Sequence, residues 1–190
     1  DMCIGCRSCF IKNEHLCPHH ARLEKLTNAI DDADVLIFTS PVYVYHTTGA
    51  MKSFLDHYGY RWMVHRPEKK MFSKQAVCIS TAAGAGTKST NKDIADSFFF
   101  WGIPKIYKYG LNVRATSYNG ISENTLKAID KKTTALAKKI KAKDGKVKVG
   151  IKTKAFFELM RIIQRKSDWN EADTDYWHNK GWDGKKRPWK

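Results

Sequence analysis

The chain has 190 residues, of which 42% are hydrophobic, and it carries a formal net charge of +15. This size suits one well-packed domain, and no apolar run approaches the ~20 residues of a membrane-spanning helix. The first residues also lack the pattern of a signal peptide, so we expect a soluble, cytoplasmic protein. The positive charge attracts phosphate, but no zinc-finger, RNP or helix-turn-helix pattern accompanies it, which argues against specific nucleic-acid binding.

Four of the five cysteines lie within the first 17 residues. Cys3, Cys6, Cys9 and Cys17 have the spacing C-x2-C-x2-C-x7-C. In a reducing compartment such a spacing indicates metal binding more than disulfides. The first three thiolates can turn toward one centre, with Gly5 relieving crowding of the backbone, and Cys17 has to fold back as a fourth ligand. The spacing leaves open a [4Fe–4S] cluster, tetrahedral zinc on four thiolates and a metal-free loop.

The first strand and its loop form the predicted centre of the fold. An amphipathic helix is predicted over residues 20–29, and the apolar run 35–38 is typical of a parallel strand buried on both faces. Pro41 ends this strand because it lacks an N–H for the ladder, so residues 40–47 are expected to form a loop. A helix is predicted from Thr48 to about residue 64. Ligands of open α/β sheets bind at the carboxyl ends of strands, which makes this loop the first candidate site.

A second strand, predicted over residues 75–80, leads into a loop of small residues. Cys78 in this strand is interpreted as a small core residue. The loop 81–87 contains so few side chains that a planar ligand can lie against its backbone, whose N–H groups can bind ring oxygens and nitrogens. Its sequence is neither a Rossmann nor a Walker motif. Neighbouring parallel strands would place it at the same sheet edge as the 40–47 loop.

Two helices and a third strand are predicted beyond this loop. One helix begins near Ser89 and ends at Gly102, the expected C-cap. The third strand lies within residues 103–113. A lysine-rich helix is predicted from Ser122 to about Lys143, and its lysines are interpreted as a solvated helix face.

The C-terminal part is predicted to be a helix and an aromatic tail. The helix covers residues 152–166, and four of the six tryptophans follow it. Such rings rarely stay in water, so the tail is expected to pack on the domain or on a second copy of the chain, and a homo-oligomer is expected. We divide the chain into residues 1–145 and an extension of residues 146–190.

The sequence SPVY at residues 40–43, followed eight residues later by MKSFLD, resembles flavodoxin-like NAD(P)H-dependent FMN reductases. With the upstream cysteines it resembles, more narrowly, the iron–sulfur flavoproteins of that group. The resemblance covers residues 1–113 well and the rest loosely. It implies an α/β, flavodoxin-like three-layer αβα sandwich with a parallel sheet, residues 1–145 being the FMN-binding domain, and NAD(P)H as co-substrate.

The resemblance also implies a site. The two loops would hold the two sides of the FMN isoalloxazine ring, with Tyr43 and Tyr45 as candidates to stack on it or edge it. The residues expected at the cofactor are Ser40, Pro41, Val42, Tyr43, Tyr45, Thr81, Ala82, Ala83, Gly84 and Gly86. The metal ligands would be Cys3, Cys6, Cys9 and Cys17, around a [4Fe–4S] cluster. No catalytic acid, base or nucleophile is expected, because the chemistry belongs to the flavin.

Flavodoxin-like sheets have the strand order 2-1-3-4-5, and only strands 3, 4 and 5 can be recognised here. The first strand, its FMN phosphate loop and the second strand would precede Asp1. Without them the run 35–38 would be left with an unpaired edge. We therefore expect this sequence to be part of a longer protein, or another chain to supply those strands.

Three functions remain in competition at this point. The first is a flavin oxidoreductase that takes hydride from NAD(P)H and passes electrons to a small-molecule or protein acceptor. The second is a non-enzymatic electron carrier that works with ferredoxin-like partners, whose acidic surface the basic chain would suit. The third is a basic binding module without cofactor, which would bind nucleic acid in a salt-sensitive manner.

Overall fold

The computed structural model describes residues 2–115, 117–166 and 169–190. Its three strands are β1 (Val35–Pro41), β2 (Gln75–Ala82) and β3 (Lys105–Asn112). They form a parallel sheet in the order β1-β2-β3, which matches strands 3-4-5 of a flavodoxin-like sheet. The α-helices of the described ranges are α1 (Ser8–Ile11), α2 (His20–Asp32), α3 (Gly49–His57), α4 (Thr87–Phe100), α5 (Glu123–Lys141), α6 (Ile151–Lys166) and α7 (Glu171–Lys180).

The sheet lies between two helical layers. On one face, Gly110 of β3 approaches Thr87 of α4 so closely that a Cβ there would lie 2.5 Å from the Thr87 Cβ. On the other face, the Tyr107 hydroxyl donates to Gln75 Oε1 at 3.0 Å, and Gln75 Nε2 donates to the Ile140 carbonyl of α5 at 3.0 Å. Because side chains alternate along a strand, α4 and α5 lie on opposite faces. This is the predicted αβα sandwich.

Two sequence predictions were wrong in detail. Ile37 of β1 was predicted to be buried, but its side chain is 57% exposed. Within the described ranges β1 pairs only with β2, and the hydrophobic core lies on the opposite face of the strand, where Leu36 points. The helix predicted from Thr48 to about residue 64 ends at His57 and gives way to a 3-10 turn at Gly59–Arg61. A Cβ at Gly59 would lie 2.9 Å from Phe10 Cζ, so the close approach of Phe10 accompanies this break.

The C-terminal extension packs on the same molecule. Helices α6 and α7 form a second core cluster with Met63 and Phe72 of the sheet-bearing part. Trp177 and Trp182 are buried in it, whereas Trp169 is 64% exposed. The described ranges contain no helix with the length and apolar character needed to span a membrane.

Glu158 ties the last residues of the tail to α6. It accepts hydrogen bonds from Arg161 Nε at 2.6 Å and from Arg187 Nη2 at 3.0 Å. Partial burial acts to raise the pKa of Glu158, but the hydrogen bonds from Arg187 and Arg161 outweigh it, so the pKa lies below its ordinary value of 4.5. The carboxylate therefore stabilises the fold above pH 4.5, and this contribution is lost as the pH falls through the folded pKa.

Glu158→Gln is accordingly expected to lower the free energy of unfolding at neutral pH and to lose this difference in acid. Urea unfolding of both proteins between about pH 3 and 7 measures the gap. A gap that stays constant across this range would contradict the assignment.

Candidate functional site

The loops that follow β1 and β2 lie side by side. Pro41 pairs in register with Thr81, and the Val42 N–H donates to the Thr81 carbonyl at 2.9 Å. Gly86 has a φ of +96°, and a Cβ there would lie 2.5 Å from Val42 Cγ1 and 3.2 Å from Tyr45 Cα. Only glycine fits this contact without displacement. The two loop tips therefore meet at one sheet edge, as the parallel strands predicted.

A tight, strained hairpin forms the tip of the first loop. The N–H of Tyr43 donates to the His46 carbonyl and that of His46 to the Tyr43 carbonyl, both at 3.0 Å. Val44 and Tyr45 between them have φ values of 50° and 66°, the left-handed pair of a type I′ turn. A β-branched residue in this region is an outlier, and such strain is found preferentially at functional sites. Tyr43, Val44 and Tyr45 are exposed.

The base of this loop is fixed by buried polar groups. Ser40 Oγ accepts hydrogen bonds from Thr47 Oγ1 at 3.0 Å and from the Thr48 N–H at 3.1 Å. Asp93 of α4 accepts from the Thr47 N–H at 3.2 Å and lies 3.1 Å from His46 Nδ1. The Ser40 side chain is 3% exposed, so it holds the loop and points away from the exposed tips.

In the second loop, residues 83–85 expose a stretch of backbone with few side-chain atoms, which we call the ledge. Ala83, Gly84 and Ala85 are exposed. Within the described ranges, their N–H groups donate to no other protein group, whereas Asn112 Nδ2 fixes the Gly84 carbonyl at 2.6 Å. Ala82 is buried and supports the ledge from below. The N-terminus of α4 opens beside it at Thr87, where the helix dipole favours negative charge.

Ser89, Asp93 and Asn112 were missed in the sequence analysis. Ser89 Oγ donates to the Gly86 carbonyl at 3.0 Å and also to the Tyr45 carbonyl. It therefore connects the two loops. Asn112 lies at the carboxyl end of β3. The rule that sites form at carboxyl ends of strands could have found Asn112, but nothing in the sequence indicates the long-range partners of Ser89 and Asp93.

The four N-terminal cysteines all line one cavity of about 50 Å³. Cys9 is the buried member, and burial, followed by the negative charge of the thiolates of Cys17, Cys3 and Cys6, raises its pKa to about 11. In the described part of the chain, no three His, Cys, Asp or Glu side chains are gathered closely enough to hold a single metal ion. Cys78 lies apart, fully buried in β2, in the core position that was predicted.

Residues 4–117, more than half of the chain, match the NADPH-dependent FMN reductase family. The chain belongs to this family. It is thus an NAD(P)H-dependent FMN oxidoreductase, as the resemblance of the SPVY and MKSFLD stretches implied.

Two known proteins show how far the likeness of the reductase extends. An iron–sulfur flavoprotein of Archaeoglobus fulgidus is 26% identical over 184 residues, which cover 94% of this chain and 78% of that protein. The apo form of an NADH:FMN oxidoreductase, EMOB, has a TM-score of 0.51 and 16% identity over 70% of this chain and 68% of its own. The second comparison shows the flavodoxin-like fold.

A larger cavity, of about 830 Å³, connects the two candidate regions of the reductase. His46 and Thr47 of the first loop line one part of it, and Cys3, Gly5 and Phe10 of the cysteine loop line another. Leu55 and Trp62 give it apolar walls. The 40–47 loop and the cysteine loop therefore border a common space.

Proposed function

We propose that the FMN isoalloxazine ring of this reductase lies on the ledge of the 81–87 loop, beside the Tyr43–His46 hairpin. The observation that carries the proposal is the contact of the two loops, which places N–H donors that have no partner among the described residues next to exposed aromatic side chains. FMN held there would supply the redox chemistry, which is acceptance of hydride from NAD(P)H and release of electrons singly or in pairs.

The residues of the two loops would have distinct tasks. Ala83, Gly84 and Ala85 would bind ring oxygens and nitrogens through their N–H groups, and Tyr43 and Tyr45 would cover or edge the ring. Pro41, Val42, Thr81 and Gly86 hold the tips together, with Ser40 and Ala82 supporting them from the interior. No side chain is assigned a proton transfer.

We further propose that Cys3, Cys6, Cys9 and Cys17 hold a [4Fe–4S] cluster. The donor set fits, since four thiols line one cavity, and four thiolates are the ligands that such clusters use. The cysteine spacing speaks against zinc, because structural zinc sites usually pair two separated C-x2–4-C knuckles. A cluster would supply a one-electron outlet bordering the same 830 Å³ cavity as the flavin loop.

The acceptor proposed for these electrons is a small molecule or an acidic protein of the ferredoxin kind, because the chain carries a net charge of +15. A homo-oligomer is also proposed. The exposed apolar side chains of Ile151, Leu159 and Ile162 on α6 support it. The 146–190 extension is proposed to serve such contacts while it packs on the flavin-binding part.

The proposal is tested on anaerobically purified protein by its visible spectrum and by assays of flavin, iron and sulfide. We expect about four irons per chain, lost in Cys6→Ser and retained in the control Cys78→Ala, with FMN bound in all three proteins. One zinc per chain, or iron that survives Cys6→Ser, would refute the cluster.

Bleaching of the flavin by NADH or NADPH is expected, while bleaching only by reduced ferredoxin would favour the electron carrier.

A further inference from the structure

We propose that Arg66 and Asp173 are a positioning pair through which the C-terminal helix α7 holds the cysteine loop in place. The two side chains contact each other, and Arg66 also contacts the backbone of the cysteine loop. Its effect on a redox potential rests on the proposed cluster. Arg66 lies between the 3-10 turn Gly59–Arg61 and a further 3-10 turn at Lys69–Ser73, and Asp173 lies in the first turn of α7, 107 residues away.

Arg66 reaches the backbone of the cysteine loop directly. Its guanidinium is 7% exposed and donates from Nη1 to the Phe10 carbonyl at 3.0 Å and from Nη2 to the Cys9 carbonyl. The same Nη1 donates to Asp173 Oδ1 at 2.6 Å. Both loop carbonyls belong to α1, a helix of only four residues. Such a helix is too short to be stable alone, so these long-range bonds fix its position.

Asp173 in turn fixes the direction of Arg66. Its carboxylate is fully buried and lies 2.7 Å from His65 Nδ1. Asn170 Nδ2 donates to Asp173 Oδ2 at 2.8 Å and to the Phe10 carbonyl at 3.1 Å. The buried charges are therefore paired and their hydrogen bonds shared, which is the condition under which such a pair holds one geometry.

The Arg66–Asp173 pair controls the position of Cys9. Its side chain is the most buried of the four cysteines and lines their common cavity, while its carbonyl is held by Arg66. Loss of the pair would make the α1 backbone mobile, and the Cys9 thiol would then no longer be held in one orientation. The guanidinium also places a positive charge beside the loop, which would favour a more negative charge on groups bound by the thiolates.

The first readout is amide hydrogen exchange of Ile11, Lys12 and Asn13, whose N–H groups close the α1 turn onto Arg7 and Ser8. In Arg66→Met and Asp173→Asn these amides are expected to exchange about tenfold faster than in the wild type. Glu158→Gln, which breaks an ion pair of the same extension without touching the loop, should leave them unchanged. Asn170→Ala, a smaller change, should accelerate them less and serves if the charge variants do not fold.

The second readout separates positioning from simple destabilisation. Amide exchange in α4 should be the same in all variants. In the anaerobically purified protein, Arg66→Met should lower the reduction potential of the cluster, whereas Arg66→Lys should leave it unchanged. Unchanged exchange at residues 11–13 in Asp173→Asn, or in Asn170→Ala if the former is unfolded, would overturn the proposal. A protein without iron would refute the cluster alone, because the exchange readout would still decide the role of the pair.

Discussion

Gly84→Val is expected to weaken FMN binding at least about tenfold while the thermal midpoint of the metal-free, flavin-free protein stays within about 2 °C of the wild type. No heavy atom lies within 4 Å of the position of a Cβ at Gly84, and its φ is not in the left-handed region, so the protein itself accommodates the side chain. A ring lying against the ledge does not. Fluorescence titration with FMN and a thermal melt measure the two effects.

Two other glycines provide the controls for Gly84→Val. Gly150 also has open space around it and lies outside the site, so Gly150→Val should leave FMN affinity unchanged. Gly86→Ala should reduce both stability and affinity, because it combines a left-handed φ with the contact to Val42, and the backbone term alone costs about 1–2 kcal/mol. If Gly84→Val binds FMN as the wild type does, the ledge is not the site.

Trp177→Ala is expected to lower the free energy of unfolding by about 3–5 kcal/mol. The ring is fully buried, packs 4.7 Å from Phe157 between centroids, and its Nε1 donates to the His65 carbonyl at 2.6 Å. The substitution therefore opens a cavity in the second core cluster and leaves a buried carbonyl without this donor. Urea unfolding measures the loss.

Trp169→Ala is the matched control, since this ring is 64% exposed, and a change within about 1 kcal/mol is expected. Similar losses for the two substitutions would contradict the distinction between a buried and an exposed tryptophan. A small loss at Trp177 would mean that the extension contributes little to the stability of the molecule.

The sheet and the meeting of its loops could be predicted because they depend on local signals. Apolar runs mark β1 and β2, Pro41 and the small residues after Ser80 mark their ends, and the parallel arrangement then places the ends together. Gly102 was predicted as the C-cap that ends a helix; in the structure it directly follows the C-cap Trp101 of α4, with a φ of +96° and the Ile103 N–H bonded back to the Phe98 carbonyl.

The features that were missed depend on partners far apart in the sequence. Helix α7 was not predicted, because it has few apolar residues and one of its two buried side chains is the charged Asp173; its stability comes from burying Trp177 against Phe157 of α6. The Arg66–Asp173 pair spans 107 residues and leaves no local pattern. The strain at Val44 is likewise imposed by the bonds between Tyr43 and His46, since valine itself disfavours a positive φ.

The most direct test of the ring position is an amide NMR spectrum of the reductase recorded with and without FMN. We expect the N–H signals of Ala83, Gly84 and Ala85 to shift most and to become protected from exchange on FMN addition, together with signals of the Tyr43–His46 hairpin. Large shifts elsewhere, with these amides unchanged in saturating FMN, would contradict this ring position.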